Sequence, residues 1–215
     1  GYLYIAQPPL FRAKRGQSEI YLKDQRELDS YLVDAGLKDA VLTISDGQQL
    51  AGRDLTAVIN QAVAASRMIE VVGRQVGNHG VVEQAAIAGL FNMAVLTNDE
   101  AATYLAKRLE AIASTLEKGW KGSIEDNANS KAIVVRRRLR GITERHVIDQ
   151  RIIKLVEAQH LDQMAGHLQL HYGKAAQFRF GTQTMDINGP TDLAQTVFQT
   201  GRKGAQISRY KGLGE

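Results

Sequence analysis

Residues 54–76 read DLTAVINQAVAASRMIEVVGRQV, and their pattern decides the fold. Apolar side chains fall at Leu55, Val58, Ile59, Val63, Met68, Ile69 and Val72, close to a 3.6-residue repeat, which predicts an amphipathic helix. Gly77, Asn78 and Gly80 break it. Downstream, Val81 to Met93 predicts a second helix. Asn98 to Glu117 predicts a third, opened by an Asn/Asp cap with Glu100 in its first turn. At Trp120, between Gly119 and Gly122, the period changes to two, and Lys131 to Leu139 and Gly141 to Ile148 predict an antiparallel meander with the stretch before them. Asp149 to Leu170 returns to helix. Ala176 to Phe180 and Gln183 to Ile187 predict a hairpin around Gly181, and Pro190 to Thr200 a helix with proline at its start.

Upstream, Tyr2 to Ala6 reads as a buried strand stopped by Pro8 and Pro9, neither of which can donate to a ladder. Leu10 to Lys14 and Ser18 to Leu22 form a predicted hairpin around Arg15-Gly16. Asp24 with Glu27 has the spacing of a capping box and opens a helix toward Leu37. Ala40 to Ile44 is a short strand, and Gln206 to Tyr210 the closing one. The expected class is α/β to α+β, with a helix-rich middle.

A chain of 215 residues, with 44% hydrophobic and 23% charged residues, has ordinary globular composition. At that length it buries roughly 70% of its unfolded surface and needs no covalent staples. It has no cysteine, which excludes disulfides, thiolate catalysis and Cys-based zinc sites and fits a cytosolic setting. The longest weakly polar run, Ala85 to Leu96, is interrupted by Asn92 and is too short to span a bilayer, so no membrane partner is expected. Gly1 opens directly into a strand pattern without Met, which reads as a piece of a longer protein.

The net charge is +4, but residues 107–154 alone hold 12 Lys/Arg against 6 Asp/Glu. Such clustering is the footprint of a surface that meets polyanions. Alternation along Lys131 to Arg140 places Arg136, Arg138 and Arg140 on one face with Val134, and Ile133, Val135, Arg137 and Leu139 on the other. Arginines two apart repeat about every 6.6 Å, near the phosphate spacing of one DNA strand, and guanidinium groups grip phosphate bidentately. Pairing within the chain, with Glu144, Asp126 or acidic residues of segment 36–106, is the competing reading. The pattern offers phosphate contacts and no grouped readers of bases on a helix.

Other candidates are weaker. His160, His167 and His171 would share one face of a single helix, and the last two have H-x-x-x-H spacing, yet Leu168 stands where a zinc protease needs Glu; no metal is expected. Trp120 suits a core anchor better than a base-stacking platform. Ser18, Ser45, Ser66 and Ser130 sit in no nucleophile-elbow context, and no catalytic residue is assigned.

The two chain ends carry a resemblance. Residues 1–12, GYLYIAQPPLFR, resemble the strand and Pro-Pro turn of the Toprim domain in bacterial type IIA topoisomerase B subunits; Gln7, Pro8 and Pro9 carry the match. Residues 207–215, ISRYKGLGE, look like the segment that closes the same domain, with Lys211, Gly212, Leu213, Gly214 and Glu215 at its core. The intervening stretch is similar to the large insertion found in members from many Gram-negative bacteria. The resemblance implies a partial, Rossmann-like Toprim sheet built from residues 1–37 and 204–215, with an α+β insertion domain over residues 38–203. It implies a bacterial, cytoplasmic, nucleoid-associated enzyme that uses Mg²⁺ and ATP, acts on double-stranded DNA and assembles with an A subunit as an A2B2 heterotetramer. Arg209 and Lys211 would then lie near the cleavage site. The family's E-G-D-S and D-x-D metal motifs and an ATP phosphate loop are missing from this chain, so no activity and no cofactor of its own are expected. The insertion would be a DNA-contacting arm or a buttress between subunits. An independent, sequence-nonspecific nucleic-acid-binding α/β domain is the alternative.

Overall fold

The computed structural model describes residues 10–44, 46–127 and 130–209. Near the chain ends, β1 (Phe11–Arg15) pairs antiparallel with both β2 (Ser18–Leu22) and β10 (Ala205–Arg209), so Ala13 faces Ile20 on one side and Ile207 on the other. This ladder is antiparallel among the described residues. Tyr2 to Ala6, Gln7, Pro8 and Pro9 lie outside them.

Helix α1 (Gln25–Leu37) opens as expected: Asp24 Oδ1 accepts the Glu27 N–H at 2.9 Å. Glu27 reaches back to the Lys23 N–H at 2.7 Å, one residue earlier than in a standard capping box. Leu28 and Leu32 of α1 pack with Ala13 and Leu22 into a small core of their own. Across α1 lies α8 (Pro190–Arg202), and the crossing depends on glycine. A Cβ on Gly201 would stand 2.0 Å from the Leu32 carbonyl oxygen, and one on Gly36 would stand 2.5 Å from that of Val197.

The middle of the chain is organised around α2 (Gly52–Val76). Its buried stripe runs through Leu55, Val58, Ile59, Ala62, Ala65, Ile69, Val72 and Val76, and the neighbours on that stripe are α3 (His79–Ile87), α6 (Val156–Gln163) and α8. By length and composition α2 could cross a membrane, yet its apolar stripe is consumed inside this fold. Around it stands a four-stranded antiparallel sheet in the order β4-β3-β8-β9, comprising β3 (Ala40–Thr43), β4 (Gln49–Leu50), β8 (Ala176–Phe180) and β9 (Gln183–Ile187); its Leu42 and Phe178, directly opposite, are fully buried.

Three predicted helices are shorter or broken. The one expected to reach Met93 stops at Ile87, where a loop is tied by Asn92 Nδ2 donating to the Gly89 carbonyl at 2.9 Å, before a 3-10 turn at Met93–Thr97. α4 (Asp99–Ile112) ends before Glu117 because Ala113 is extended, and the Glu110 carboxylate collects the N–H groups of Gly119 and Trp120 instead. Asp149 to Leu170 is three short helices, α5 (Gln150–Ile153), α6 and α7 (Ala165–Tyr172), broken at Leu155 and Met164. Burying Ile152, Ile153, Leu161 and Leu168 against one core takes changes of direction that a straight helix lacks. The remaining sheet is the expected meander: β5 (Lys121–Asn127), β6 (Ser130–Leu139) and β7 (Ile142–Ile148). Mixed α and β with three antiparallel sheets is the class the sequence indicated.

Candidate nucleic-acid interface

The meander has two unlike faces. Ile133, Val135 and Arg137 point inward with Ile124 and Ile148, and β5 lies so close to α4 that a Cβ on Gly122 would be 1.9 Å from the Ala102 carbonyl oxygen. The opposite face carries Arg136 and Arg138, as the alternation predicts. Pairing adds two cations that reading a single strand did not supply. Arg136 is flanked across the sheet by Lys121 on β5 and Arg145 on β7, giving a basic row perpendicular to the strands. Strands lie about 4.8 Å apart in this direction, so three cations span one row. The signal for Arg145 was present in the sequence: a two-residue turn at Arg140-Gly141 dictates that 136 faces 145.

One carboxylate sits in this field. Glu125 on β5 pairs with both Arg136 and Arg145, the latter at 3.1 Å. The Ser123 hydroxyl hydrogen bond and the two guanidinium groups hold its carboxyl below the usual range. Lys121 and Arg138 make no ion pair among the described residues and are exposed. The face thus keeps a positive excess after its internal pairing. Ala132 and Val134 share this face of β6 and are buried, so the basic row occupies only its Arg136–Arg138 end.

Several sequence candidates are placed differently. Arg140 is not on the strand; it occupies the hairpin turn with φ 49 beside Gly141 at φ 85, the left-handed pair a tight two-residue turn demands. The three-arginine repeat therefore shortens to two on the strand. Arg209 is exposed at the end of β10, opposite Phe11. Lys211, Gly212, Leu213, Gly214 and Glu215 lie outside the described residues. Arg137 serves the fold: it donates to Glu144 at 2.8 Å and to the Glu117 carbonyl at 3.0 Å, over the half-buried Trp120 ring. Trp120 packs against the main core, so that ring is already stacked.

His160 does not share a helix with His167 and His171, because α6 ends at Gln163. The latter two rings are 4.1 Å apart, and His171 Nδ1 is bonded to the His167 carbonyl at 2.8 Å. Among the described residues, no group of three or more His, Asp or Glu side chains converges on a metal position.

No protein-family model matches the chain. Individual relatives do, over all 215 residues: it is 36% identical to the DNA gyrase B subunit of Caulobacter vibrioides and 31% identical to that of Rickettsia prowazekii. Against the type 2 topoisomerase B subunit of Aquifex aeolicus it is 25% identical over 226 aligned positions. In each case it spans 26% of the relative's length. From end to end this mixed α/β chain is similar to one segment of the B subunits of type II topoisomerases. In particular, it is similar to a segment of the DNA gyrase B subunit.

Proposed function

We propose that this chain works as part of a bacterial DNA gyrase B subunit in the cytoplasm, on nucleoid DNA, within an A2B2 assembly with gyrase A. The whole enzyme would introduce negative supercoils by ATP-driven passage of one duplex through another. In this reading residues 1–37 and 204–215 belong to the Toprim part, with Arg209 and Lys211 toward the cleaved strand, and residues 38–203 form the insertion. The described residues do not converge on a metal and the sequence holds no ATP phosphate loop, so no step through Mg²⁺ or ATP is assigned to them. The role left to this segment is mechanical and electrostatic.

One observation carries the reading of the insertion as a DNA-contacting arm: the row Lys121, Arg136 and Arg145, with Arg138 beside it, at the exposed end of one sheet face. Phosphates would be gripped without reading of bases, because no helix presents grouped readers at this face. The test is fluorescence-anisotropy binding of a duplex of about 35 base pairs across a salt series, which reads phosphate contacts as a slope. Lys121→Ala with Arg138→Ala should lower that slope by nearly two units at about 0.9 per contact. An unchanged slope removes the arm. A buttress between subunits is the second reading, favoured by the internal pairing of Arg136 and Arg137.

A further inference from the structure

A second group of cations lines a cleft of about 330 Å³ between α3, α4 and the turn from α7 into β8. Lys107, Arg108 and Lys174 contribute the charge, and Gln84, Tyr104 and Ile112 much of the remaining wall. Arg108 is held rigidly. Its Nε donates to Gln84 Oε1 at 3.1 Å, and its two terminal nitrogens donate to the carbonyls of Gly173 at 2.9 Å and Tyr172 at 3.0 Å. Gln84 is itself fully buried and fixed by a 3.3 Å bond to the Asn188 carbonyl.

All of these acceptors are neutral. Capping the end of α7 explains why a cation stands here; with Nη1 also donating to the Tyr104 hydroxyl at 3.5 Å, one N–H of the fork, on Nη2, is left open. Among the described residues no carboxylate lies within 4.0 Å of the charged nitrogens of Lys107, Arg108 or Lys174. Asp99 and Glu100 line a neighbouring depression with Thr103, Tyr104 and Lys107, which Arg108 and Lys174 do not border, so an anion is favoured at the Arg108–Lys174 end. Tyr104 and Ile112, 42% and 41% exposed, offer a flat apolar wall at the mouth. A cleft of this size suits a small ligand.

We propose that this cleft binds a phosphate monoester carried on a flat ring, of the nucleoside monophosphate kind, with the phosphate on Arg108 and Lys174 and the ring against Tyr104. The same chemistry is presented by a free nucleotide and by a nucleic-acid end, and the experiment separates them. Titration calorimetry of the full chain with AMP and with inorganic phosphate should show one AMP site, about tenfold tighter than phosphate because stacking adds to the charge term. Lys107→Ala with Lys174→Ala, both exposed and away from the core, should weaken both ligands about tenfold with an unchanged circular dichroism spectrum. Tyr104→Ala should erase the advantage of AMP and leave phosphate binding intact. Arg108 is left in place because it also holds α7. Saturating duplex that leaves AMP bound identifies a free nucleotide as the ligand, and duplex that displaces AMP identifies nucleic-acid phosphate; both outcomes keep the site. Absence of AMP binding at millimolar concentration, or equal affinity in the double-lysine variant, overturns it. This site does not depend on the DNA-arm reading.

Discussion

The guanidinium carbon of Arg137 stands 4.6 Å from the centroid of the Trp120 ring, so the inward arginine of β6 covers the one tryptophan of the chain. The same side chain bonds Glu144 on β7 and the Glu117 carbonyl in the loop after α4. It ties three segments together from a position only 13% exposed. Its neighbours Arg136 and Arg138 face the opposite way, and that is why adjacent arginines of one run have different tasks.

Replacing Arg137 with Ala should lower stability by about 2–3 kcal/mol, through loss of the cation–π contact and of hydrogen bonds to a charged donor. Arg137→Lys should recover part of it, since an ammonium cannot reproduce the fork. Urea denaturation reads both, and a neutral Arg137→Ala would refute the clamp.

Gly201→Ala should cost about 3 kcal/mol, because its new methyl meets the Leu32 backbone, which cannot yield as a flexible side chain would. Gly16→Ala, in open space at φ 59, should cost only about 1 kcal/mol of backbone strain. Equal thermal shifts in the two variants would mean that α1 and α8 do not cross this closely.

Burial raises the carboxyl of Glu83, which accepts the Thr191 N–H at 2.8 Å beside Asp192. The folded form holds this proton more tightly than the unfolded chain, so the protonated side chain adds stability below the ordinary carboxylate range that is lost as pH rises through the raised value. Glu83→Gln should therefore melt higher than the parent near pH 7 and match it near about pH 4. A lower melting temperature at neutral pH would contradict a carboxyl whose ionised form is penalised by burial.

His167 behaves in the opposite sense. Burial, with His171 adding to it, pushes its pKa down to about 4. The neutral ring's contribution is complete above the ordinary imidazole value near about 6.5 and declines as pH falls toward 4. His167→Gln should flatten the stability profile across that window. A profile identical to the parent's would place the titrating group elsewhere.

Glu125 sits in the centre of the basic row, and its removal tests the row directly. Glu125→Gln frees Arg136 and Arg145 for an external anion and should tighten duplex binding several-fold at low salt by removing a like charge from the phosphate path. Weaker binding would show that Glu125 orients the two arginines rather than competing with DNA.

Periodicity located α2, the terminal hairpin, the meander and α8, because each buries one face with a single repeat. It failed where packing overrides repeat. The run after Asp149 looks uniformly helical, yet Leu155 is extended, and the shared histidine face disappears with the continuous helix. The basic site was half legible: Arg136 and Arg138 followed from alternation, whereas Arg140 went to a turn that a two-residue loop requires.

By itself the sequence determined the mixed α/β class, the cysteine-free composition, the basic third quarter and the terminal segments that resemble a Toprim domain. These are local properties, carried by residue type and short spacing. Tertiary structure alone decided that Lys121 joins the Arg136–Arg145 hairpin pair in one row, that Glu125 partly neutralises it, and that Lys107, Arg108 and Lys174 share a cleft. Each of those depends on strand register or helix packing between distant segments, and electrostatic interaction follows distance in space, not separation along the chain.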